Sequence, residues 1–412
     1  MKQAILCGKL LNTVKKRVDT DQVILVEDDR IQAVERREAI EIPEGYEIVD
    51  CSDRFVTPGL IDAHLHTAFD PMTYLKDYTG DGVIRGLINA KKDLLAGFTT
   101  LRDMGCTFYA DVSIRNAINS GKAWGPRMKV SGWAISSTGG HGDLNLPAHL
   151  RGEYLSLCRM ANSPDEMRWL ARDIARNHVD CIKICASGGI MSEGDMPGVQ
   201  KFTEAEMRAA IEVAEMEGLP SAAHAHGASS IAAAERAGIT SIEHGTMADD
   251  ESIRLMAQKG TFLVPTIIVS RSVLNNPHLP FPEYVLRKSR IAAARHKEVV
   301  AAALHEGVKF AFGTDAGSTG NEHGEQAREF GYLVEEYGLT PMQALCSATI
   351  NAAELLRMKE DIGSLEAGKY ADLVAFDGDP LEDITVMTRP DLVMKGGVIY
   401  KREGQPVHFP LL

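Results

Sequence analysis

No run of about 18 or more apolar residues occurs anywhere in the 412-residue chain, which excludes a membrane-spanning helix. The opening segment MKQAILCGKL has no extended apolar stretch of the export-signal type either. Basic charge is also scarce: 44 Lys and Arg face 57 Asp and Glu, a formal net charge of −13, and no basic run or stripe is present. Nucleic acid is therefore not an expected partner. The 7 cysteines are scattered, odd in number and without C-x-x-C spacing, so a disulfide framework is not indicated. A cytoplasmic setting and a homo-oligomeric state are expected. Finally, no G-x-G-x-x-G turn follows the first strand, which removes the main signal for an open dinucleotide-binding sheet.

What is present is alternation. From Pro58 to about Gly363, short β-rich runs cycle with longer segments of helical periodicity. Strands are predicted near 56–66, 98–103, 127–132, 179–185, 219–226, 239–244, 261–268 and 309–315. Between them, Thr203 and Glu206 form a capping box ahead of a Met207, Ala210, Ile211, Ala214 stripe, and Ser163, Pro164 and Glu166 open a second helix. Eight such units most simply close into a (β/α)8 TIM barrel over 58–363. Residues 1–57 and 364–412 have short alternating runs and too few strands each for a core, so they are predicted to join into one small β-sandwich domain built from both termini.

In such a barrel, chemistry sits at the C-terminal ends of the strands. His64 and His66 share one face at the end of the first strand, Lys183 lies late in the fourth, His224 ends the fifth, His244 the sixth and Asp315 the eighth. Alone, the H-x-H pair is as consistent with a structural pair as with metal ligation. Lys183 is more demanding. Its strand parity places Cys181, Lys183 and Cys185 inward and Ile182 and Ile184 outward, and an inward lysine must be neutralised, paired or modified. Pairing with Asp315 or another acid is one solution. The other is a neutral amine that adds CO2 and becomes a carbamate able to bridge two cations, and four converging histidines favour it.

The segments PGLIDAHLHT, GFTTLRDMG (97–105), STGGHGD (137–143), CIKICASGG (181–189), AHAHG (223–227), IEHGT (242–246), GTDAG (313–317) and GSLEAGKYADLVAFD (363–377) together resemble the amidohydrolase superfamily, in its imidazolonepropionase-like and prolidase-like branch. The resemblance covers nearly the whole chain. It implies a binuclear centre of two divalent ions, zinc expected, with His64, His66 and Asp315 on one ion and His224 and His244 on the other. Carboxylated Lys183 and a hydroxide would bridge them. Asp315 would shuttle the proton as general base and acid. The presence of Lys183 separates this chain from mononuclear deaminases and imidazolonepropionases and points to a metal-dependent hydrolase of a small amide or dipeptide substrate, of dipeptidase type.

Other residues are placed less firmly. His141, on a Gly-rich loop after the third strand, is assigned to the substrate carbonyl or carboxylate, against a bland reading as an exposed loop histidine. His226 shares parity with His224 and is expected at the pocket mouth, where dipeptidases of this branch often carry tyrosine. His323 reads as a surface-loop histidine. The loops at 67–83, 136–156, 188–201 and 270–284 are expected to set specificity, with Arg151, Arg271 or His141 as candidate anchors for a carboxylate. Lactone, urea or carbamate hydrolysis would use the same site, and a non-catalytic binding scaffold on this fold is the reading from another class.

Overall fold

A computed structural model describes residues 1–70, 73, 76–144, 146, 149, 156–276 and 278–407; Arg151 and His408 lie outside the described residues. The barrel strands are Leu60–Leu65, Phe98–Asp103, Arg127–Val130 with its continuation Ala134–Ser136, Ile182–Cys185, Ser221–Gly227, Ser241–Met247, Phe262–Val264 and Lys309–Phe310. Neighbours pair in parallel, as Lys183 opposite Ala222 and Ala225 opposite His244 illustrate. The third and fourth strands are joined by the Asp180 amide donating to the Val130 carbonyl at 2.7 Å. The ring closes where the Ala63 amide donates to Phe312 O (2.8 Å), Thr314 N to His64 O (3.1 Å) and His66 N to Ala316 O (2.8 Å). The chain thus forms a TIM barrel, with an additional short strand, Cys158–Met160, beside Ala134–Ser136.

Local chemistry follows the predicted signals. The helix Glu204–Met216 has its capping box, with Thr203 N donating to Glu206 Oε2 at 2.7 Å and Glu206 N to Thr203 Oγ1 at 3.3 Å, and it buries Met207, Ala210, Ile211 and Ala214. Ser163 caps Pro164–Ala175, its hydroxyl accepting from Glu166 N at 3.2 Å, while the Glu166 carboxylate accepts from Asn162 N at 2.6 Å. Strand parity also holds at the fourth strand: Ile182 and Ile184 enter the main core shared with the helices, while Cys181 clusters with Met104 and Ala222. Truncating either isoleucine to alanine would cost about 2–5 kcal/mol.

One predicted strand divides. The run 56–66 belongs to two sheets: Glu47–Pro58 lies in the small domain and Leu60–Leu65 in the barrel. Gly59 is the junction, because a Cβ there would lie 2.1 Å from Thr99 Oγ1. The small-domain sheet takes Lys2–Asn12, Arg17–Glu27, Arg30–Arg36 and Glu47–Pro58 from the N-terminal side and Leu373–Phe376, Pro390–Lys395, Val398–Arg402 and Gln405–Pro406 from the C-terminal side. The two halves meet where Val374 pairs with Thr57 and Ala375 with Val56. Phe55, Val374, Phe376 and Val393 continue into the barrel's core, and Lys395 Nζ donates to Gly125 O at 2.5 Å, so the sheet is fixed to the barrel. Among the described residues no helix is long and apolar enough to cross a membrane.

Candidate active site

A cavity of about 590 Å³ opens at the C-terminal ends of the strands and is lined by His64, His66, His141, Lys183, His224, His226, His244 and Asp315 together. The eight residues assigned from the sequence to metal binding and catalysis therefore line one cleft. Three supporting conformations are costly: His244 (φ 72°), Asp315 (φ 58°) and the β-branched Thr266 (φ 46°) adopt left-handed backbone, a strain that clusters at functional sites.

The imidazoles are oriented by acceptors behind them. His64 Nδ1 lies 2.7 Å from Glu243 Oε2 and His66 Nδ1 lies 2.9 Å from Gly105 O. Carboxylate and carbonyl oxygens accept, so both rings carry a proton on Nδ1, and their Nε2 atoms lie 3.6 Å and 3.3 Å respectively from Asp315 Oδ1. His224 is reversed: its Nε2 donates to Gly188 O at 3.3 Å, leaving Nδ1. His244 and His226 hydrogen-bond through Nδ1 to Thr266 Oγ1 (2.7 Å) and Thr246 Oγ1 (2.9 Å).

Burial sets the protonation states of the cleft histidines other than His66, which burial would lower but the hydrogen bond and charge of Asp315 raise. Burial lowers His64 to about 4, aided by the Lys183 charge, and drives His224 and His244 well below the usual imidazole range. His226 falls to about 3 and His141 to about 4, again chiefly through burial. Burial would raise Asp315, but the hydrogen bond from His66 and the neighbouring histidines hold it below the ordinary carboxylate value. Neutral imidazole and ionised carboxylate are the ligand-competent forms.

Two groups of side chains bring their donor atoms within 4.8 Å of one another: His64, His244 and Asp315, and His224, His226 and His244. His226 thus stands inside a donor cluster, and His244 contributes to both groups. Lys183 lines the same cleft, 3% exposed, its Nζ buried without a hydrogen-bond partner among the described residues. Burial lowers its pKa. The acid pairing considered for it is absent among the described residues, and an orphaned buried amine amid histidine and carboxylate donors fits a group that is completed by modification and cation binding.

Several residues of the site were not named from the sequence. Glu243, fully buried, accepts from His64, from Arg102 Nη2 at 2.9 Å and from Ser241 Oγ at 2.6 Å. Burial pushes its carboxyl up, but the Arg102 guanidinium and the His64 hydrogen bond hold it well below the ordinary range. A charged residue inside an apolar strand, the feature that singled out Lys183, was available for both Arg102 and Glu243. His323 is no surface-loop histidine. It is 7% exposed, with Nδ1 2.9 Å from Asp93 Oδ2 and Nε2 3.2 Å from His66 O. Arg271 also departs from expectation: it pairs with Glu336 and faces the Tyr337 ring, away from the cleft lining.

The predicted specificity loops do form the walls. Phe69 and Tyr78, His141 and Leu144, Ile190 and Met191, and Phe281 and Tyr284 come from the four segments in turn.

Comparison with known proteins places this geometry. Residues 55–400 match the amidohydrolase family. The ochratoxinase of Aspergillus niger is 34% identical over 417 aligned residues, covering 92% of this chain and 83% of that protein. Among solved structures, a Xaa-Pro dipeptidase with methionine bound in its active site is similar with a TM-score of 0.91 and 34% identity, over 97% of this chain and 100% of that one. A prolidase complexed with N-methylphosphonate-L-proline is similar with a TM-score of 0.90 and 30% identity, over 98% and 100%.

Proposed function

The chain belongs to the amidohydrolase family and is a hydrolase acting on C–N bonds, and from that premise we propose that it cleaves the amide or peptide bond of a small substrate, a dipeptide or an N-acyl amino acid, with two divalent metal ions. His64, His66 and Asp315 would hold one ion and His224 and His244 the other, with a CO2-derived carbamate on Lys183 between them. Zinc suits this histidine and carboxylate set. Two ions bound there supply a water of lowered pKa and polarisation of the scissile carbonyl.

The chain's own residues complete the reaction. Asp315, fixed against His64 and His66, is the base that takes the proton of the attacking water and returns it to the leaving nitrogen as the C–N bond breaks. Glu243 and Gly105 O hold His64 and His66 in one tautomer, so the first strand is preorganised before substrate arrives. His141 and His226 face the substrate. Phe69, Phe108, Ile190, Met191 and Phe281 give the cleft apolar walls that suit apolar substrate side chains. In this reading residues 58–363 are the catalytic unit, and 1–57 with 364–412 are its composite β-domain.

The observation that carries the proposal is Lys183: a buried amine with no hydrogen-bond partner among the described residues, lining the same cleft as His64, His66, His224 and His244. The test is a kcat/KM screen of metal-loaded enzyme against dipeptides, N-acyl amino acids, lactones and arylureas. Turnover of amides first is expected; turnover of lactones or deamination substrates alone would overturn the assignment.

A further inference from the structure

His141 lies in a setting that no metal ligand explains. Its ring stacks on His224, with centroids 4.2 Å apart and planes inclined by 11°. On the Gly189 side the backbone approaches so closely that a Cβ at Gly189 would sit 2.0 Å from His141 Nδ1. Nδ1 itself is 2.8 Å from Ser192 Oγ. That hydroxyl donates in turn to Asp195 Oδ2 at 2.9 Å, and the same oxygen accepts from Gly189 N at 3.0 Å. The other carboxylate oxygen accepts from Lys288 Nζ at 2.8 Å. Lys288 also donates to the carbonyls of Ser192 (2.6 Å) and Gly189 (3.1 Å), so its three ammonium hydrogens are all used on this one loop. Asp195 and Lys288 are 4% and 1% exposed, and Lys288 comes from the long helix Glu283–His305.

Counting hydrogens along this line gives a definite answer. A serine hydroxyl has one proton, and at 2.9 Å from a carboxylate oxygen it must be spent there, since two oxygens without a shared proton repel. Ser192 Oγ can then only accept from His141, which fixes the His141 proton on Nδ1 and leaves Nε2 as a lone pair on a ring that lines the cleft. A neutral ring in that tautomer cannot donate to a substrate carbonyl.

We propose that Ser192, Asp195 and Lys288 are positioning residues that lock His141 in its Nδ1–H tautomer, so that Nε2 acts as a hydrogen-bond acceptor and favours substrates with an N–H beside the scissile carbonyl. The substrate half rests on the amide-hydrolase reading; the tautomer half does not. One change inverts the line. In Asp195→Asn the carboxamide oxygen stays on the Lys288 ammonium, so the NH2 takes the place that faced Ser192 and Gly189 N; the Gly189 bond is lost, the NH2 donates to Oγ, the hydroxyl proton turns to His141 Nδ1, and the ring proton moves to Nε2.

The test is NMR of the zinc-loaded protein with 15N-labelled histidine, the His141 resonances being identified as those missing in His141→Gln. Wild type should show a protonated Nδ1 and a bare Nε2, and Asp195→Asn should exchange the two. A bare Nδ1 in wild type, or an unchanged tautomer in Asp195→Asn, would overturn the relay. If Asp195→Asn fails to fold, Ser192→Thr and Ser192→Ala decide: the threonine should keep the wild-type pattern and the alanine lose it, whereas the same pattern in both would overturn the proposal.

On matched amides differing in N–H against N-methyl beside the carbonyl, wild type should favour the N–H member by up to about tenfold in kcat/KM, the value of one hydrogen bond. Ser192→Ala should lose that preference. Equal rates for the pair in wild type would overturn the acceptor assignment. Failure of every amide would count against the amide-hydrolase reading, while the spectra would still decide the relay.

Discussion

Arg102→Met is the sharpest perturbation of the scaffold behind His64. The guanidinium is 1% exposed and makes three hydrogen bonds: Nε to Ala63 O (2.5 Å), Nη1 to Ser241 Oγ (3.2 Å) and Nη2 to Glu243 Oε1 (2.9 Å). Methionine preserves most of the stem volume and removes the charge, leaving the wholly buried Glu243 carboxylate with only His64 and Ser241 as donors. Breaking one side of such a pair costs about 3–5 kcal/mol, whereas removing both charges costs much less. The Arg102→Met/Glu243→Gln double variant should therefore recover at least about 1 kcal/mol relative to the sum of the single variants. Urea unfolding followed by circular dichroism measures this as a lowered midpoint at unchanged slope. A single-variant loss below about 1 kcal/mol, or a double variant as costly as the sum, would refute the view that Glu243 is a charge held in place for His64.

Three further outcomes follow from named contacts. Lys183→Ala should lose most of its bound metal at one or both positions and regain part of it, with activity, when a short carboxylic acid is added; full activity without the additive would remove the bridging role. Asp315→Asn should keep more metal than activity, because an amide ligates weakly and cannot carry the proton, and an unchanged kcat would remove Asp315 as the base. Glu235 is buried with Oε1 unpartnered and Oε2 accepting from Thr261, and burial raises its pKa from the ordinary 4.5 to about 7. The folded state therefore holds the proton more tightly than the unfolded one, and stability falls as pH rises between those values. Glu235→Gln should erase that slope and gain up to about 3 kcal/mol at pH 8; a stability curve parallel to that of wild type would refute the assignment.

Much of the architecture is legible in the sequence because it is written in local terms. The Thr203 and Ser163 caps, the Met207 stripe and the alternation Cys181, Lys183, Cys185 each depend on residues within a few positions, and each appears in the structure. The division at Gly59 was hidden because one continuous β-rich run serves two sheets, and the close approach of Thr99 that requires glycine there comes from 40 positions away. Partners of the site residues were hidden by longer separations still. Glu243 reaches His64 across 179 positions, His323 reaches Asp93 across 230, and Lys288 reaches Asp195 across 93. Periodicity cannot show such pairs. A charge inside an apolar strand can flag one member, as it did for Lys183 and should have for Arg102 and Glu243. Lys288 and His323, on a helix and a loop, carry no such flag.

The central claim is a two-ion centre assembled around Lys183, and the most direct measurement is the metal content of protein expressed with divalent metal and purified with bicarbonate present. About two divalent ions per chain are predicted. A chain that folds normally and binds none, or binds one whose retention is indifferent to bicarbonate, would contradict the account.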